Sequence, residues 1–317
     1  METGMEKIPI AVSSCLLGQE VRFDGGHKHN GYLTQTLGRY FEYVPFCPEV
    51  AIGLGIPRPP IRLVHIDGQT RARGVKDPQL DVTTQLQEYA RQVVPQLGAV
   101  CGYILKRASP SCGMERVKVY SNNNIYGSDS GIYAAAIMQV MPQLPVEEEG
   151  RLMDPVLREN FIERVFVYAS WQALQREGMR ADDLVRFHTA HKFSLLAHNE
   201  TTYRELGRLV GDAGNADMAQ LAGKYFALLM QALREPATRK KHTNVLMHIM
   251  GYVKDSLDAD DKQELLEVLE RYRIGQVPLI VPLTLLKHYL RKHPDPYIEQ
   301  QVYLSPHPEE LMLRNSL

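Results

Sequence analysis

Apolar and polar residues follow two different periods in the two halves of the chain. Up to about residue 141, short apolar runs typical of strands alternate with stretches of helical spacing. This alternation predicts an α/β domain with a mostly parallel, Rossmann-like sheet. The predicted strands are 8–12, 41–46, 61–66 and 99–104, the predicted helices are 31–41, 77–97 and 131–141, and 68–74 is predicted to be a polar turn.

Beyond residue 150 only the helical period remains, which predicts an all-α domain. Its predicted helices are 154–177, 181–198, 201–210, 217–233, 237–256, 260–272 and 282–291. The stretch 142–150 is rich in proline and glutamate and has the composition of a linker. We therefore place the α/β domain at 1–143, the linker at 144–150 and the all-helical domain at 151–317.

The composition changes this picture little. Of the 317 residues, 44% are hydrophobic and 23% charged, and the formal net charge of −1 excludes a globally basic nucleic-acid-binding protein. The sequence shows no signal peptide and no apolar run of membrane-spanning length, so we expect a cytoplasmic protein that does not engage a membrane. Four cysteines in a reducing compartment indicate metal binding, catalysis or plain burial rather than disulfides.

Three of the four cysteines stand just beyond predicted strands. Cys15 and Cys47 each follow one, and Cys112 closes a Ser-Pro-Ser turn after another. Ligands of open α/β sheets gather beyond the carboxyl ends of the strands, so three thiols there suggest one site. They could hold an iron–sulfur cluster with one open iron, a zinc ion, or be unrelated buried thiols. Cys101, inside an apolar strand, is expected to be a core residue.

Polar side chains accompany these thiols. In Cys47-Pro48-Glu49, the thiol and the carboxylate are two residues apart, a spacing that points both to one face of an extended backbone. Arg22 and Asp24 lie in a glycine-rich turn, where they could form an ion pair or face a ligand. Without the neighbouring thiol, Glu49 would be interpreted as a turn-capping carboxylate and Ser109 as a turn hydroxyl.

Three motifs occur in order over about residues 7–143: Ser14-Cys15-Leu16-Leu17-Gly18 with Arg22-Phe23-Asp24-Gly25, Cys47-Pro48-Glu49, and Leu105-Lys106 with Ser109-Pro110-Ser111-Cys112-Gly113. Together they resemble the thiouracil desulfidase (TudS) family. The helical half resembles YbgA-type domains through the stretches 186–192 and 240–252. A fusion in this order is similar to desulfidases that act on 4-thiouridine in tRNA.

The resemblance implies a [4Fe–4S] cluster held by Cys15, Cys47 and Cys112, with one iron open to thiocarbonyl sulfur. It also implies that Glu49 is catalytic, as a base toward water, and that Ser109 assists by donating a hydrogen bond. Other polar side chains of the same motifs are expected to bind substrate, namely Ser14, Arg22, Asp24 and Ser111. The reaction would need no nicotinamide or flavin.

Basic residues cluster on two predicted helices of the second half, and a segment from 237 to 254 contains no acidic residue. We expect the clusters to bind tRNA phosphates without reading sequence. Their members are Arg186, His188, His191, Lys192, Arg239, Lys240 and Lys241. The alternatives for these residues are a solvated face or histidines satisfied in the core.

Two other functions remain open at this point. One is desulfidation of free 2- or 4-thiouracil, with the helical domain in a structural role. The other is an iron–sulfur sensor that binds nucleic acid without turnover. Such a sensor needs no general base, so a glutamate beside a ligand thiol, Glu49 beside Cys47, argues against it.

Overall fold

Among the residues that the computed structural model describes, 6–214 and 216–316, the first part of the chain forms two four-stranded sheets. The strands are β1 Ile8–Ser13, β2 Phe41–Phe46, β3 Ile61–Ile66, β4 Gln69–Gly74, β5 Tyr103–Leu105, β6 Val117–Ser121, β7 Asn124–Asp129 and β8 Val146–Glu148. The chain divides into two units, Met1–Met153 and Asp154–Leu317, the first α/β and the second helical, as predicted.

The first sheet has the order β2-β1-β5-β8, and all its neighbouring strands are parallel. The register places the carboxyl ends of these strands side by side: Ser13 lies opposite Phe46, and Val12 lies opposite Ile104. From β1 the chain adds β2 on one side and later β5 on the other side, so the direction in which strands are added reverses at β1. A reversal of this kind opens a crevice at the carboxyl ends of the strands, where open α/β sheets bind ligands.

The predicted linker is wrong for residues 146–148, which form β8 and complete this sheet. The acidic run has the composition of an exposed linker, yet its carboxylates have partners within the first unit. Glu147 pairs with Arg151 at 2.6 Å, and Glu148 accepts a hydrogen bond from the backbone N–H of Met114 at 2.8 Å. Glu149 forms an ion pair with Lys106. The α/β unit therefore extends to Met153.

The second sheet, β4-β3-β6-β7, combines antiparallel and parallel pairs. The polar stretch predicted as a turn is β4, which pairs with β3 through a two-residue turn at Asp67 and Gly68. A second hairpin, between β6 and β7, turns at Asn122 and Asn123. All four turn residues have positive φ, between 47° and 75°, as type I′ hairpin turns require.

The helices of the first unit differ in length. They are α1 Pro48–Ala51, α2 Thr83–Leu97 and α3 Ile132–Val140. Pro95 falls in the last turn of α2, close to the predicted end. The helix predicted over 31–41 is instead one wide turn, Tyr32–Thr36, followed by a 3₁₀ turn, Leu37–Arg39.

The second unit is helical, in agreement with the apolar spacing. Its helices are α4 Pro155–Arg176, α5 Ala181–Ala190, α6 Lys192–His198, α7 Glu200–Gly211, α8 Met218–Leu233, α9 Arg239–Val253, α10 Ala259–Arg273, α11 Ile280–Lys292 and α12 Pro296–Glu299. The helix predicted over 181–198 is interrupted at His191, between α5 and α6. The core is dense in aromatic rings: Trp171 stacks on Tyr225 and on Phe226, at centroid distances of 5.4 and 5.0 Å. Among the helices of the described residues, none is both long enough and apolar enough to span a membrane.

Candidate active site

The three strand-end thiols lie around one cavity of about 290 Å³ in the first unit. Cys15 lies in the 3₁₀ turn that follows β1, and Cys47 is the residue before α1, directly after β2. Cys112 lies in the turn that follows β5. Because β1, β2 and β5 are adjacent and parallel, their last residues lie at the same edge of the sheet. The sheet order thus brings together thiols that are far apart in the sequence.

Burial in the cavity disfavours negative charge on these three thiols. Burial raises the pKa of Cys15 to about 11, and the charge of Cys47 adds to the rise. Burial also raises the pKa of Cys47 and that of Cys112, the latter helped by the charges of Glu49 and Cys47. All three cysteines are free of disulfides. Cys101 is buried in the core and does not line the cavity.

The Glu49 carboxylate lies in the same cavity and is held from two sides. Its Oε2 accepts hydrogen bonds from Arg58, at 2.8 Å from Nη2 and 3.0 Å from Nε. Its Oε1 accepts a hydrogen bond from the Ser111 hydroxyl at 2.8 Å. Glu49 belongs to the first turn of α1, whose preceding residue is Cys47, so the backbone itself keeps thiol and carboxylate together.

Arg58 holds the Glu49 carboxylate, and no motif in the sequence predicted this contact. Its side chain is almost fully buried, and Nη1 donates to the backbone oxygens of Val21 at 3.0 Å and Gly55 at 2.9 Å. These bonds fix the guanidinium so that its remaining N–H groups face Glu49. An arginine in a glycine- and proline-rich loop was the only sequence signal, and it indicates no partner.

We expect Arg58→Met to lower the free energy of unfolding by about 3–5 kcal/mol, because removing one member of a buried ion pair leaves the other charge uncompensated. Denaturant unfolding of the full chain measures the change. The double variant Arg58→Met/Glu49→Gln has no charge left unpaired and should recover part of the loss. A single variant as stable as the parent would show that the pair contributes nothing.

Ser109 and Ser111 have different roles. The Ser109 Oγ lines the cavity and accepts backbone N–H bonds from Ser111 at 3.2 Å and Cys112 at 3.1 Å. Since a hydroxyl has one donor and two acceptor sites, its O–H is left to donate into the cavity. Ser111 is fully buried and donates to Glu49, so it holds the carboxylate and is not one of the residues that line the cavity. Its expected role as a substrate contact is therefore corrected to a positioning role.

The first motif supplies one wall. Ser14 and Arg22 line the cavity, together with Phe23, whose ring centre is 5.3 Å from the Arg22 guanidinium carbon. Asp24 is not a lining residue. Its carboxylate pairs with Arg22 at 3.2 Å, and this partner together with the backbone N–H of Gly26 lowers the pKa of Asp24. For Asp24 the structure thus favours the ion pair that fixes the turn.

Basic groups outnumber acidic ones around the cavity. Its lining includes Arg22, Arg58, Lys106 and Arg107 but only one carboxylate, that of Glu49. The sequence predicted no role of its own for Lys106, which it showed only as part of the third motif. Its backbone N–H donates to the Ser13 Oγ at 2.9 Å, which ties the end of β5 to the end of β1.

Comparison with known families identifies both halves. A family model described as 2-thiouracil desulfurase matches residues 10–149, and one described as a protein of unknown function, DUF1722, matches residues 192–308. The chain joins a 2-thiouracil desulfurase domain to a DUF1722 domain. The resemblances inferred from the motifs are thereby confirmed for both halves.

Relatives that match nearly their whole length agree with this assignment. The uncharacterized protein YbgA of Escherichia coli (strain K12) is 32% identical over 154 residues, which is 48% of this chain and 91% of YbgA. The uncharacterized protein YbbK of Bacillus subtilis (strain 168) is 30% identical over 148 residues, 44% of this chain and 96% of YbbK. A solved [4Fe–4S]-dependent thiouracil desulfidase, TudS, is 31% identical with a TM-score of 0.36, and the match covers 47% of this chain and 95% of TudS.

The basic clusters of the second unit are largely engaged by contacts within that unit. His188 and His191 are buried, and burial lowers the pKa of each to about 4, so both are uncharged near neutral pH. Arg239 donates to the backbone oxygens of Tyr272 at 2.8 Å and Val277 at 3.3 Å. These three residues are corrected from phosphate contacts to structural residues.

The remaining cations of these clusters differ in their partners. Arg186 pairs with Asp183, and Lys241 lies 3.8 Å from Glu235. In the described part of the chain, Lys192 and Lys240 have no carboxylate partner. The expected tRNA surface is thus reduced to fewer charges than the sequence suggested.

Proposed function

We propose that this chain hydrolyses the C=S bond of a thiolated pyrimidine, with 4-thiouridine in tRNA as the substrate and a [4Fe–4S] cluster as the cofactor. The observation that carries the proposal is the convergence of Cys15, Cys47, Cys112 and Glu49 on one cavity. Membership of the N-terminal half in the 2-thiouracil desulfurase family supports the reaction class. TudS is described as [4Fe–4S]-dependent, and we extend that cofactor to this chain because of its three thiols.

The donor set fits such a cluster. Thiolates are the ordinary ligands of iron–sulfur clusters, and a cationic centre among Cys15, Cys47 and Cys112 would offset the burial and mutual repulsion that raise their pKa values. Within the described residues, no three His, Cys, Asp or Glu side chains are close enough together to hold one metal ion. A cluster binds each thiolate through a different iron atom and so suits a wider ring of ligands. When bound, it would supply an open iron that acts as a Lewis acid toward thiocarbonyl sulfur.

Glu49 is placed to take a proton from water. Arg58 occupies Oε2, and Ser111 occupies one of the two lone-pair sites of Oε1, which leaves the other for a water molecule. As that water adds to the C=S carbon, its proton passes to Glu49. The carbon–sulfur bond then breaks, C=O remains on the pyrimidine, and sulfur leaves as hydrogen sulfide. The balance is that of a hydrolysis, in which no electron is gained or lost.

Other lining residues orient the pyrimidine and stabilise negative charge. The Ser109 O–H can donate to a ring oxygen or to the anion that develops during attack. Arg22 and Lys106 bring positive charge to the same cavity, and Phe23 offers a ring face to the base. Preorganised donors of this kind stabilise the transition state without reorganisation at the moment of reaction.

Desulfidation of free thiouracil is the second candidate. All lining residues fall between Ser13 and Cys112, so the cavity belongs to the first unit alone, and its volume of about 290 Å³ suits a single base. A protein that only sensed redox state through a cluster would have no use for a carboxylate held by Arg58 and Ser111.

Incubation with bulk thiolated tRNA separates these functions. We expect anaerobically reconstituted full-length protein to convert 4-thiouridine to uridine and to release an equal amount of sulfide. Nucleoside digestion followed by mass spectrometry measures the conversion, and Glu49→Gln protein serves as the inactive control. If free thiouracil is consumed while the tRNA keeps its 4-thiouridine, the tRNA proposal is wrong and the free-base function holds.

A further inference from the structure

The two stretches that resemble YbgA-type domains, 186–192 and 240–252, each contribute a residue to one surface, Lys192 and Tyr252. Lys192 begins α6, and its ammonium lies 5.2 Å from the ring centre of Tyr297 on α12. The Tyr297 ring stacks on that of Tyr252 from α9, with centres 5.6 Å apart and planes 17° apart. Tyr203 on α7 lies within reach of the same ammonium, whose charge opposes the burial that raises the pKa of Tyr203. We call these four residues the tyrosine surface.

One side of α9 extends the tyrosine surface. Lys240, Asn244, His248 and Tyr252 are spaced four residues apart, so they form a single row along the helix. All four are exposed, and Tyr252 is 41% exposed despite its stacking on Tyr297. With a rise of about 1.5 Å per residue, the row is about 18 Å long. It presents a cation, an amide, an imidazole and an aromatic ring in succession.

The two lysines on this face are not neutralised by carboxylates of the described residues. In the part of the chain that the structure describes, neither Lys192 nor Lys240 has a carboxylate partner, whereas Lys241 and Arg186 each pair with one. The sequence from 237 to 254 contains no acidic residue that could repel an anion along α9. This surface combines lysines that have no carboxylate partner within the described structure with stacked tyrosine rings. Such a surface suits a polyanion that also carries planar aromatic groups, because the lysines attract its negative charges and the tyrosines stack on its rings.

We infer that the tyrosine surface and the α9 row bind an unpaired stretch of RNA, in which a base stacks on Tyr252 and phosphates contact Lys192 and Lys240. Aromatic rings accept any base because every base has a π face, and lysines bind phosphates without sequence preference. The inference rests on the proposed function, in which RNA carries the substrate, and it names the surface that holds that RNA. Tyrosines also occur in protein interfaces, but the unpaired cations and the absence of acidic residues along α9 favour RNA.

Fluorescence anisotropy with a labelled, unthiolated single-stranded RNA of about 12 nucleotides tests the inference on the full-length reconstituted protein. We expect Tyr252→Leu to weaken binding about 5- to 100-fold, since stacking is lost, and Tyr252→Phe to bind like the parent, since the ring remains. Lys240→Ala should reduce the slope of log affinity against log salt by about 0.7. Circular dichroism of each variant checks that its helices are retained.

Matched controls lie elsewhere on the chain. Tyr126, on β7, is 63% exposed, and Lys224, on α8, is also exposed; Tyr126→Leu and Lys224→Ala should bind the RNA like the parent. If Tyr252→Leu binds RNA with parental affinity, the inference is overturned, and a change in its sedimentation would assign the surface to contact between copies. Parental protein that binds RNA through Tyr252 yet leaves tRNA 4-thiouridine intact would refute only the proposed substrate.

Discussion

Glu49→Gln protein is expected to keep its iron and lose desulfidation by a factor of about 10²–10⁴, the usual contribution of a general base. Glutamine preserves the shape of the side chain and can still accept the Ser111 hydrogen bond, but it cannot take a proton from water. Iron content and turnover of a thiolated pyrimidine are measured on the same anaerobic preparation. The two readouts separate loss of chemistry from loss of the cofactor.

Glu42 offers a matched control, since it is an exposed glutamate on β2, the strand that leads to Cys47. Glu42→Gln should have parental iron content and turnover. If Glu49→Gln turns over thiolated substrate at the parental rate, water activation by this carboxylate is excluded. Loss of iron in Glu49→Gln would instead assign Glu49 to cofactor binding.

Replacing any one of Cys15, Cys47 and Cys112 with alanine is expected to remove the cluster and abolish turnover. Each thiol reaches the cavity from a different strand end, so no other cysteine of the chain can substitute for it. Iron analysis and the broad charge-transfer absorption of the reconstituted protein measure the loss. About four irons per chain are expected for the parent.

Cys101→Ala is the control for these three variants, because Cys101 is a buried cysteine that lies in the core and does not line the cavity. It should keep both iron and activity. Zinc in place of iron after anaerobic reconstitution, or retention of four irons by Cys112→Ala, would contradict the proposed ligand set.

The sequence predicted those features that depend on local pattern. Strands β2 and β3 match their predicted bounds, and most helices of the second unit match within a few residues, because each buries its own apolar face. The grouping of Cys15, Cys47 and Cys112 also followed from pattern, since the carboxyl ends of neighbouring parallel strands share one edge.

The features that the sequence did not predict depend on partners far away along the chain. The segment 68–74 looks like a turn because its residues are polar, yet pairing with β3 makes it a strand. Arg58 and Ser111 carry no signal of their own, and only folding brings them to the two oxygens of Glu49. The histidines of the basic clusters could not be separated from surface cations without knowledge of their burial.

The pairing of β8 with β5 bears on how the desulfurase domain can be separated from the rest of the chain. A fragment ending at residue 143 would leave β5 as an open edge strand, with unpaired backbone groups that invite aggregation. It would also remove Glu149, the counter-ion of Lys106, which lines the cavity. Ending at Gly150 restores the strand but removes Arg151, which neutralises Glu147 and Glu115. A fragment that keeps both the strand and these ion pairs therefore ends at Met153, the last residue of the first unit.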